Sequence, residues 1–216
     1  MSRFLFPKWT NKIKNLLLPL VVGGAVYMVV LVWLGASPKT LVAGYSPVQP
    51  VPFSHAMHAG ELGLDCRYCH TTVETAAYAA IPPTATCMNC HEKGIKTTSP
   101  KLAKLREAFA TEQPMRWEKI HDLPDYAYFN HASHVTRGVG CKSCHGRIDQ
   151  MERVYQQEPL SMAWCLDCHR APEKHLRPLD QITNMAWAPE NQLELGLQLK
   201  NEYGIKTSTD CSTCHR

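Results

Sequence analysis

The chain has 216 residues with a formal net charge of +4 at neutral pH, and only 8% of its residues are aromatic. Four of the 23 basic residues precede a hydrophobic segment, and the other 19 balance the 19 acidic residues. No basic excess of the kind that nucleic-acid binding needs is therefore left, and a nucleic-acid partner is excluded. The low aromatic content leaves little ordinary core, which indicates that bound cofactors supply part of the interior.

The first predicted element is a membrane helix from Leu16 to Leu34, nineteen residues without a charge. The basic residues before it predict a cytoplasmic N-terminus, and the rest of the chain is then periplasmic, held by a single-pass anchor in the bacterial inner membrane. A cleaved signal peptide ending near Gly35-Ala36-Ser37 is the alternative. The basic residues are Arg3, Lys8, Lys12 and Lys14.

Beyond the anchor, the sequence predicts a mostly irregular fold with short helices and no β pattern. A helix that begins at Ser99-Pro100, with Ser99 as its cap, should end at Gln113-Pro114 and pack on the cofactor-binding region through Leu102, Leu105 and Phe109. A second helix is predicted over 189–203, with apolar residues at Leu193, Leu197 and Leu199 and a stop at Gly204.

All ten cysteines fall in five C-x-x-C-H motifs. Two cysteines three residues apart on one helical turn can form thioethers with the two vinyl groups of haem, and the adjacent histidine then reaches the iron as its proximal ligand. The sequence therefore predicts five covalently bound haem c groups. The motifs are Cys66–Cys69–His70, Cys87–Cys90–His91, Cys141–Cys144–His145, Cys165–Cys168–His169 and Cys211–Cys214–His215.

Zinc and disulfide alternatives explain this pattern less well. Zinc sites would pair the C-x-x-C units, which leaves an odd fifth unit and gives no role to five adjacent histidines. Disulfides between cysteines three residues apart would close loops too short to stabilise a domain.

An internal repeat supplies four candidate distal ligands. Phe53 begins an F-x-H-x-x-H segment before the first two motifs, and Phe129, 76 residues later, begins another before the third and fourth. Histidines at i and i+3 project from one side of a helical turn and can serve two different irons. The predicted distal ligands are His55, His58, His131 and His134.

The fifth distal ligand is left open between His121 and Met162, which precedes Cys165 by three residues. His/Met coordination would give one haem a higher potential than bis-histidine coordination. Met151 and Met185 are weaker candidates, and His175 is interpreted as a solvated loop residue. With six-coordinate iron at each motif, no position is vacant for a substrate, so the sequence favours electron transfer over catalysis and no catalytic residue is predicted.

The predicted organisation has five segments, of which the Pro-rich one is interpreted as a stiff spacer. They are a tail and anchor at 1–36, the spacer at 37–52, a two-haem module and helix at 53–114, a second two-haem module at 115–180, and a C-terminal helix with the fifth motif at 181–216.

The paired histidine segments and haem motifs resemble class III cytochromes c. The segments His121–Tyr126, Phe129–His131 and Leu160–Arg170 are similar to the pentahaem cytochrome c subunit of alternative complex III, a bacterial quinol:electron acceptor oxidoreductase. That resemblance implies membrane-embedded quinol-oxidising subunits and an iron–sulfur subunit as partners, with a monohaem cytochrome c or a haem–copper oxidase as acceptor. It also implies a mixture of bis-His and His/Met haems.

Two other function classes are weighed. One is a membrane quinol dehydrogenase of the tetrahaem or pentahaem kind, in which the first haem motif follows the anchor closely; here the predicted spacer argues against it. The other is a multihaem nitrite or hydroxylamine reductase, which would need a five-coordinate haem.

Overall fold

The computed structural model describes residues 6–7 and 9–215, and the chain divides into one compact unit that ends at Val42 and another that begins at Ala43. In the first unit, helix α1 spans Thr10–Gly35, and its segment Asn15–Gly35 has a mean hydropathy of 2.4. This helix is long and apolar enough to cross a membrane, although a signal sequence would meet the same criterion. Arg3 and Lys8 of the predicted basic flank lie outside the described residues.

A short helix α2, Pro38–Leu41, completes the first unit. Its first turn begins at Ser37, whose carbonyl accepts hydrogen bonds from the backbone N–H groups of Thr40 and Leu41 at 2.9 and 3.0 Å. The Thr40 hydroxyl donates to the carbonyl of Leu34 at the end of α1. These bonds satisfy carbonyls that a helix end would otherwise leave without partners.

The second unit is helical and loop-rich, as the sequence predicts. Between Ala43 and His215, β pairing is limited to one isolated antiparallel bridge between Val139 and Leu176. A π-helical turn covers Ala56–Glu61, and 3₁₀ turns cover Pro100–Leu102, Ile148–Gln150, Pro172–Lys174 and Leu179–Gln181. The α-helices are α3 Cys66–Cys69, α4 Thr84–His91, α5 Ala103–Ala110, α6 His131–Val135, α7 Lys142–His145, α8 Met162–Arg170, α9 Gln192–Glu202 and α10 Cys211–Cys214.

The Pro-rich segment is not a free-standing spacer along its whole length. The N–H of Gly44 donates to the Gln156 carbonyl at 2.7 Å, and the N–H of Gln156 donates to the Tyr45 carbonyl at 3.0 Å. Further along, the side chain of Gln49 both donates to and accepts from the backbone of Glu118. From Gly44 onward the segment therefore belongs to the same compact unit as the C-x-x-C-H motifs.

The helix predicted after Ser99 is present but shorter. A 3₁₀ turn leads into α5, and Ser99 accepts through its carbonyl from Arg106 at 3.0 Å rather than capping through its hydroxyl. Leu105 is buried with Val51 and Met88 in an apolar cluster. Leu102, Phe109, Cys87, Met115 and Trp117 pack around that cluster, so the predicted packing of this helix on the haem-motif region is confirmed.

Helix α9 packs through a different face from the one expected. Of the three leucines that the sequence places on the apolar face of this helix, only Leu199 is buried, whereas Leu193 and Leu197 are exposed. The contact is made at Gly196, where an added Cβ would lie 1.8 Å from the carbonyl oxygen of Glu173. Because glycine has no side chain, the helix backbone can approach the 3₁₀ turn Pro172–Lys174 directly, and that approach selects the buried face.

Candidate haem-binding site

Four motifs have both cysteines on a short helix, α3, α4, α8 or α10, and in the third motif Cys141 is the N-cap of α7 while Cys144 lies within it. In α3 the Asp65 carboxylate caps the turn by accepting from the N–H of Arg67 at 2.8 Å, and in α8 the Ser161 hydroxyl accepts from Trp164 at 3.3 Å. Capping fixes the start of a helix that is too short to be stable alone. All ten cysteines lie among the described residues, and none of them forms a disulfide.

The first and third motifs are neighbours, because the thiols of Cys66 and Cys141 share a hydrogen bond that raises the pKa of Cys66 and lowers the pKa of Cys141. At the second motif, burial and then the charge of Cys69 raise the pKa of Cys87. These interactions place the first motif between the second and the third.

Interactions between cysteines also link the third, fourth and fifth motifs. Burial raises the pKa of Cys144 to about 12, with smaller contributions from Cys168 and Cys165. Burial and then Cys214 raise the pKa of Cys165. The motifs therefore follow one another through space in the order second, first, third, fourth, fifth, which differs from their order in the sequence.

The two F-x-H-x-x-H segments have nearly the same ring geometry. The Phe53 ring centre lies 4.8 Å from His55 and 4.4 Å from His58. At the second segment the Phe129 ring centre lies 4.7 Å from His131 and 4.6 Å from His134. In each repeat the phenylalanine holds one imidazole edge-on and lies nearly parallel to the other, so the two rings have different, fixed orientations.

The second histidine of each repeat faces the histidine of a C-x-x-C-H motif. The ring centres of His58 and His91 are 6.2 Å apart, and those of His134 and His169 are 6.1 Å apart. Two metal–nitrogen bonds of about 2.0 Å, with about 1.1 Å from each nitrogen to its ring centre, require a separation of about 6.2 Å. Both pairs therefore have the spacing of two imidazoles that bind one metal from opposite sides.

Hydrogen bonds set the orientation of most of these imidazoles. Nδ1 lies 2.6–3.0 Å from a backbone carbonyl oxygen in seven histidines, so it carries the proton and donates. The free nitrogen, Nε2, is then the one available to a metal, which is the usual arrangement of a metal-binding histidine. The seven are His58, His70, His91, His131, His134, His169 and His215.

Three other histidines are half-buried, and each has one buried nitrogen without a hydrogen-bond partner: Nδ1 of His55, Nε2 of His121 and Nδ1 of His145. The ring centres of His121 and His145 are 4.4 Å apart, nearly perpendicular. Burial, with smaller contributions from neighbouring histidines, lowers the pKa of His145 to about 3 and of His55 to about 4, and also lowers the pKa of His121. These imidazoles are neutral at physiological pH, the form that binds a metal.

A cavity of about 2170 Å³ runs between the first three motifs. Its wall holds the cysteines and histidines of those motifs together with His55, His58, His121, His131 and His134. A pocket for one small ligand measures about 300–1,000 Å³, so this space is large enough for more than one. Among the described residues, no group of three or more His, Cys, Asp or Glu side chains could by itself hold a metal ion. The size of the cavity, the spacing of the paired imidazoles and the unpartnered Nε2 of His121 fit covalently bound haem.

The residue before the first histidine of each repeat has a role that the sequence prediction missed. The Ser54 hydroxyl accepts from the N–H of Met57 at 3.0 Å, and the Asn130 side chain accepts from Ser133 at 3.2 Å. The carbonyls of the same two residues accept from Nδ1 of the second histidine, both at 2.8 Å. The preference of Ser and Asn for helix N-caps is the signal that could have revealed this role.

Models of two cytochrome families match adjacent parts of the sequence. Residues 36–116 match the class III cytochrome c family, and residues 127–216 match cytochrome c7 and related cytochromes c. The chain is a multihaem c-type cytochrome. Such proteins take part in electron transfer, and the cytochrome c families imply haem c bound covalently through C-x-x-C-H motifs.

The cytochrome is also similar to a curated protein, the multihaem cytochrome c subunit of menaquinone reductase from Nitratidesulfovibrio vulgaris strain Hildenborough. The two are 27% identical over 178 residues, an alignment that covers 73% of this chain and 82% of the relative.

Outside the repeats, the structure corrects one expectation and places the candidate methionines. His175 was interpreted as solvated, but it is half-buried, and burial lowers its pKa. The reason is its position between Pro172 and Leu176, both of which are buried beneath α9. Met162 begins α8 and is 66% exposed, whereas Met151 and Met185 are both buried.

Proposed function

We propose that this cytochrome binds five haem c groups and transfers electrons within a membrane quinol-oxidising respiratory complex of the alternative complex III kind. Its electrons go to a periplasmic cytochrome c or a haem–copper oxidase. The chain is held in the bacterial inner membrane by α1, with the N-terminus cytoplasmic and the haem-binding unit periplasmic. Membrane-embedded quinol-oxidising subunits and an iron–sulfur subunit are its proposed partners.

The observation that carries the proposal is the pairing of imidazoles across metal-sized gaps. His58 with His91 and His134 with His169 stand at 6.2 and 6.1 Å. An iron held by two such nitrogens has no open position for substrate, which suits electron transfer and not catalysis. When bound, haem c supplies one-electron redox chemistry at iron.

Hydrogen bonds and ring contacts within this protein hold those four imidazoles in fixed orientations. Backbone carbonyls accept from Nδ1 of each imidazole, Phe53 and Phe129 fix the ring planes of His58 and His134, and burial lowers the pKa of His134. Because the geometry is set before any electron arrives, little rearrangement accompanies a change of oxidation state. That is what fast one-electron transfer requires of a protein.

The spatial order of the motifs supports a one-dimensional path. The second and fifth motifs are the two ends of the series, and they contain the two exposed cysteines, Cys90 and Cys211. The remaining eight cysteines are half-buried. Electrons would therefore enter and leave near α4 and α10.

His121 and Met162 remain the candidates for the fifth distal ligand. The buried, unpartnered Nε2 of His121 beside His145 favours His121 within the cavity. Met162 lies on α8, whose Cys165 interacts with Cys214 of the last motif, so it is the candidate for the iron of His215. His121→Ala and Met162→Leu separate them: the variant that removes a ligand converts one low-spin ferric signal to high spin.

The test of the whole proposal is haem quantification with low-temperature electron paramagnetic resonance of the purified full chain. Five haems per chain, all low-spin when oxidised, are expected. His58→Ala and His134→Ala should each convert one signal to high spin, and the matched control His175→Ala should convert none. A high-spin signal in the unaltered protein that shifts with nitrite would overturn the proposal in favour of a multihaem reductase.

A second candidate is electron flow in the opposite direction, into the quinone pool, and the relative named as a menaquinone reductase subunit favours it. In native membranes under anaerobic conditions, haem reduction by added quinol would support the quinol-oxidising direction. Haem oxidation by added quinone, with no reduction by quinol, would support the reverse direction. An extended spacer would argue against a simple quinol dehydrogenase. Because residues 44–51 pack on the haem-motif unit, that objection no longer applies. Such a dehydrogenase would reduce its haems without other subunits.

A further inference from the structure

Arg177 is a buried cation that forms no ion pair with an acidic side chain of the described residues. It is 6% exposed, and its Nε has no hydrogen-bond partner. Nη1 donates to two carbonyls, those of Gln181 and Asn184, at 3.1 and 3.0 Å, and the guanidinium lies over the Trp187 ring at 5.0 Å. Among the ion pairs of the described residues, none includes Arg177. Neutral carbonyls and an aromatic face solvate this charge without cancelling it.

The guanidinium lies directly against the third haem motif. A Cβ added at Gly140 would be 2.2 Å from the Arg177 Nε and 2.4 Å from its Cζ, so the absence of a side chain at Gly140 leaves room for the charge. Gly140 is followed by Cys141, whose N–H donates to the Ile182 carbonyl at 3.2 Å. The segment that holds the guanidinium thus also holds the first cysteine of the motif.

We infer that Arg177 raises the reduction potential of the haem bound at Cys141 and Cys144. An unneutralised positive charge in a low-dielectric interior stabilises the added electron of the reduced state more strongly than a solvated charge would. Arg177 is a positioning residue in this role, because it touches the backbone of the motif and not the iron. The inference rests on the proposed function, since it requires a haem at this motif.

This role gives the middle of the path a distinct potential. The third motif is the central one of the spatial series, so a higher potential there would favour the arrival of electrons from either end. The chain supplies a matched contrast at the fourth motif: Arg170 directly follows His169, but its side chain is 63% exposed and its ion pair with Asp167 is 3.8 Å long. Solvent screens such a charge, so it should influence its haem far less.

The experiment is a potentiometric titration of the full-length protein, followed by electron paramagnetic resonance so that each haem is identified by its own signal. Arg177→Gln should lower the reduction potential of one haem by at least about 59 mV. For a one-electron couple, that shift corresponds to a tenfold change in the equilibrium constant for reduction of the haem. Arg177→Lys keeps the charge but loses the paired carbonyl bonds, and should restore most of the potential. Arg170→Gln should give less than a third of the Arg177→Gln shift.

Gly140→Ala keeps the charge but forces the guanidinium away from the motif, so it should lower the same potential by a smaller amount. It provides the test if Arg177→Gln fails to fold. Haem is counted in every variant.

With five haems present and no potential lowered in either Arg177→Gln or Gly140→Ala, the inference is wrong while the proposed function stands. If the unaltered protein lacks a haem at Cys141 and Cys144, the proposed function itself fails. An equal shift in Arg177→Gln and Arg170→Gln would show that net charge, and not the buried site, sets the potential.

Discussion

The two F-x-H-x-x-H modules place their ligands in the same way but are stabilised differently. Their Phe–His distances agree within 0.2 Å, although one segment is a π-helical turn and the other is α6. The first module packs on an apolar cluster around Leu105, whereas the second is supported by the close approach of α9 at Gly196. The comparison teaches that local sequence fixes the ligand geometry, while longer-range packing is free to differ between the copies.

The largest expected effect is on the first module. Leu105→Ala opens a cavity in the cluster with Val51 and Met88, and should lower the free energy of unfolding by about 2–5 kcal/mol. Denaturant unfolding followed by circular dichroism measures it. The control Leu193→Ala, at an exposed leucine of α9, should change the free energy by less than about 0.5 kcal/mol. Equal losses in the two variants would contradict a separate core for the first module.

The matching change in the second module is Gly196→Ala. The new Cβ would collide with the carbonyl oxygen of Glu173, a backbone atom that cannot move aside, so a loss of about 1–3 kcal/mol is expected. Thermal unfolding of this variant is compared with that of Gln198→Ala, an exposed position on the same helix. If Gly196→Ala is as stable as that control, the close approach does not support the second module.

A smaller effect tests the similarity of the modules. Asn130→Ala and Ser54→Ala each remove a side chain that caps the histidine turn, and each should cost about 1 kcal/mol while leaving the carbonyl that holds the second histidine. The shift in thermal midpoint checks this, with Ser133→Ala as the exposed control that removes no cap. A loss in Asn130→Ala alone would mean that the π-helical turn does not depend on its cap.

The smallest effect is the pH dependence of the ion pair between Glu173 and Lys200, 2.9 Å apart. The hydrogen bond from Lys200 lowers the pKa of Glu173 in the folded state. The pair therefore stabilises the fold at neutral pH by less than about 1 kcal/mol, and this contribution disappears as the pH falls below about 4.3 and through the folded-state pKa. The difference in unfolding free energy between the unaltered protein and Glu173→Gln should vanish at low pH. A difference that persists there would show that altered packing at this position, and not the lost charge, explains the effect of the substitution.

Much of the site could be predicted from the sequence because its signals are local. The C-x-x-C-H spacing and the repeated histidine pairs act within one helical turn, and the structure places both on such turns. Some carbonyl partners of the histidines could not be predicted, because they come from distant segments: His131 bonds to Ala77, and His169 bonds to Ser208.

The same limit explains the errors elsewhere in the fold. The docking of Gly44 and Tyr45 on Gln156 joins segments more than a hundred residues apart, and no local pattern predicts it. Counting leucines on α9 also failed, because the absence of a side chain at Gly196, and not the apolar residues, decides which face packs. Short motifs identify the candidate metal ligands. Hydrogen-bond partners from distant segments can be identified only in the folded structure.

The wall of the large cavity has a consequence for how the protein is made. It includes Val48 near the start of the haem-binding unit and Ala186 near its end, so no N-terminal fragment can enclose the space between the first three motifs. A growing chain therefore cannot close this space until the segment that ends at Ala186 is present. Until then the cysteines in this wall are open to solvent, which is the state in which a bulky cofactor can reach them.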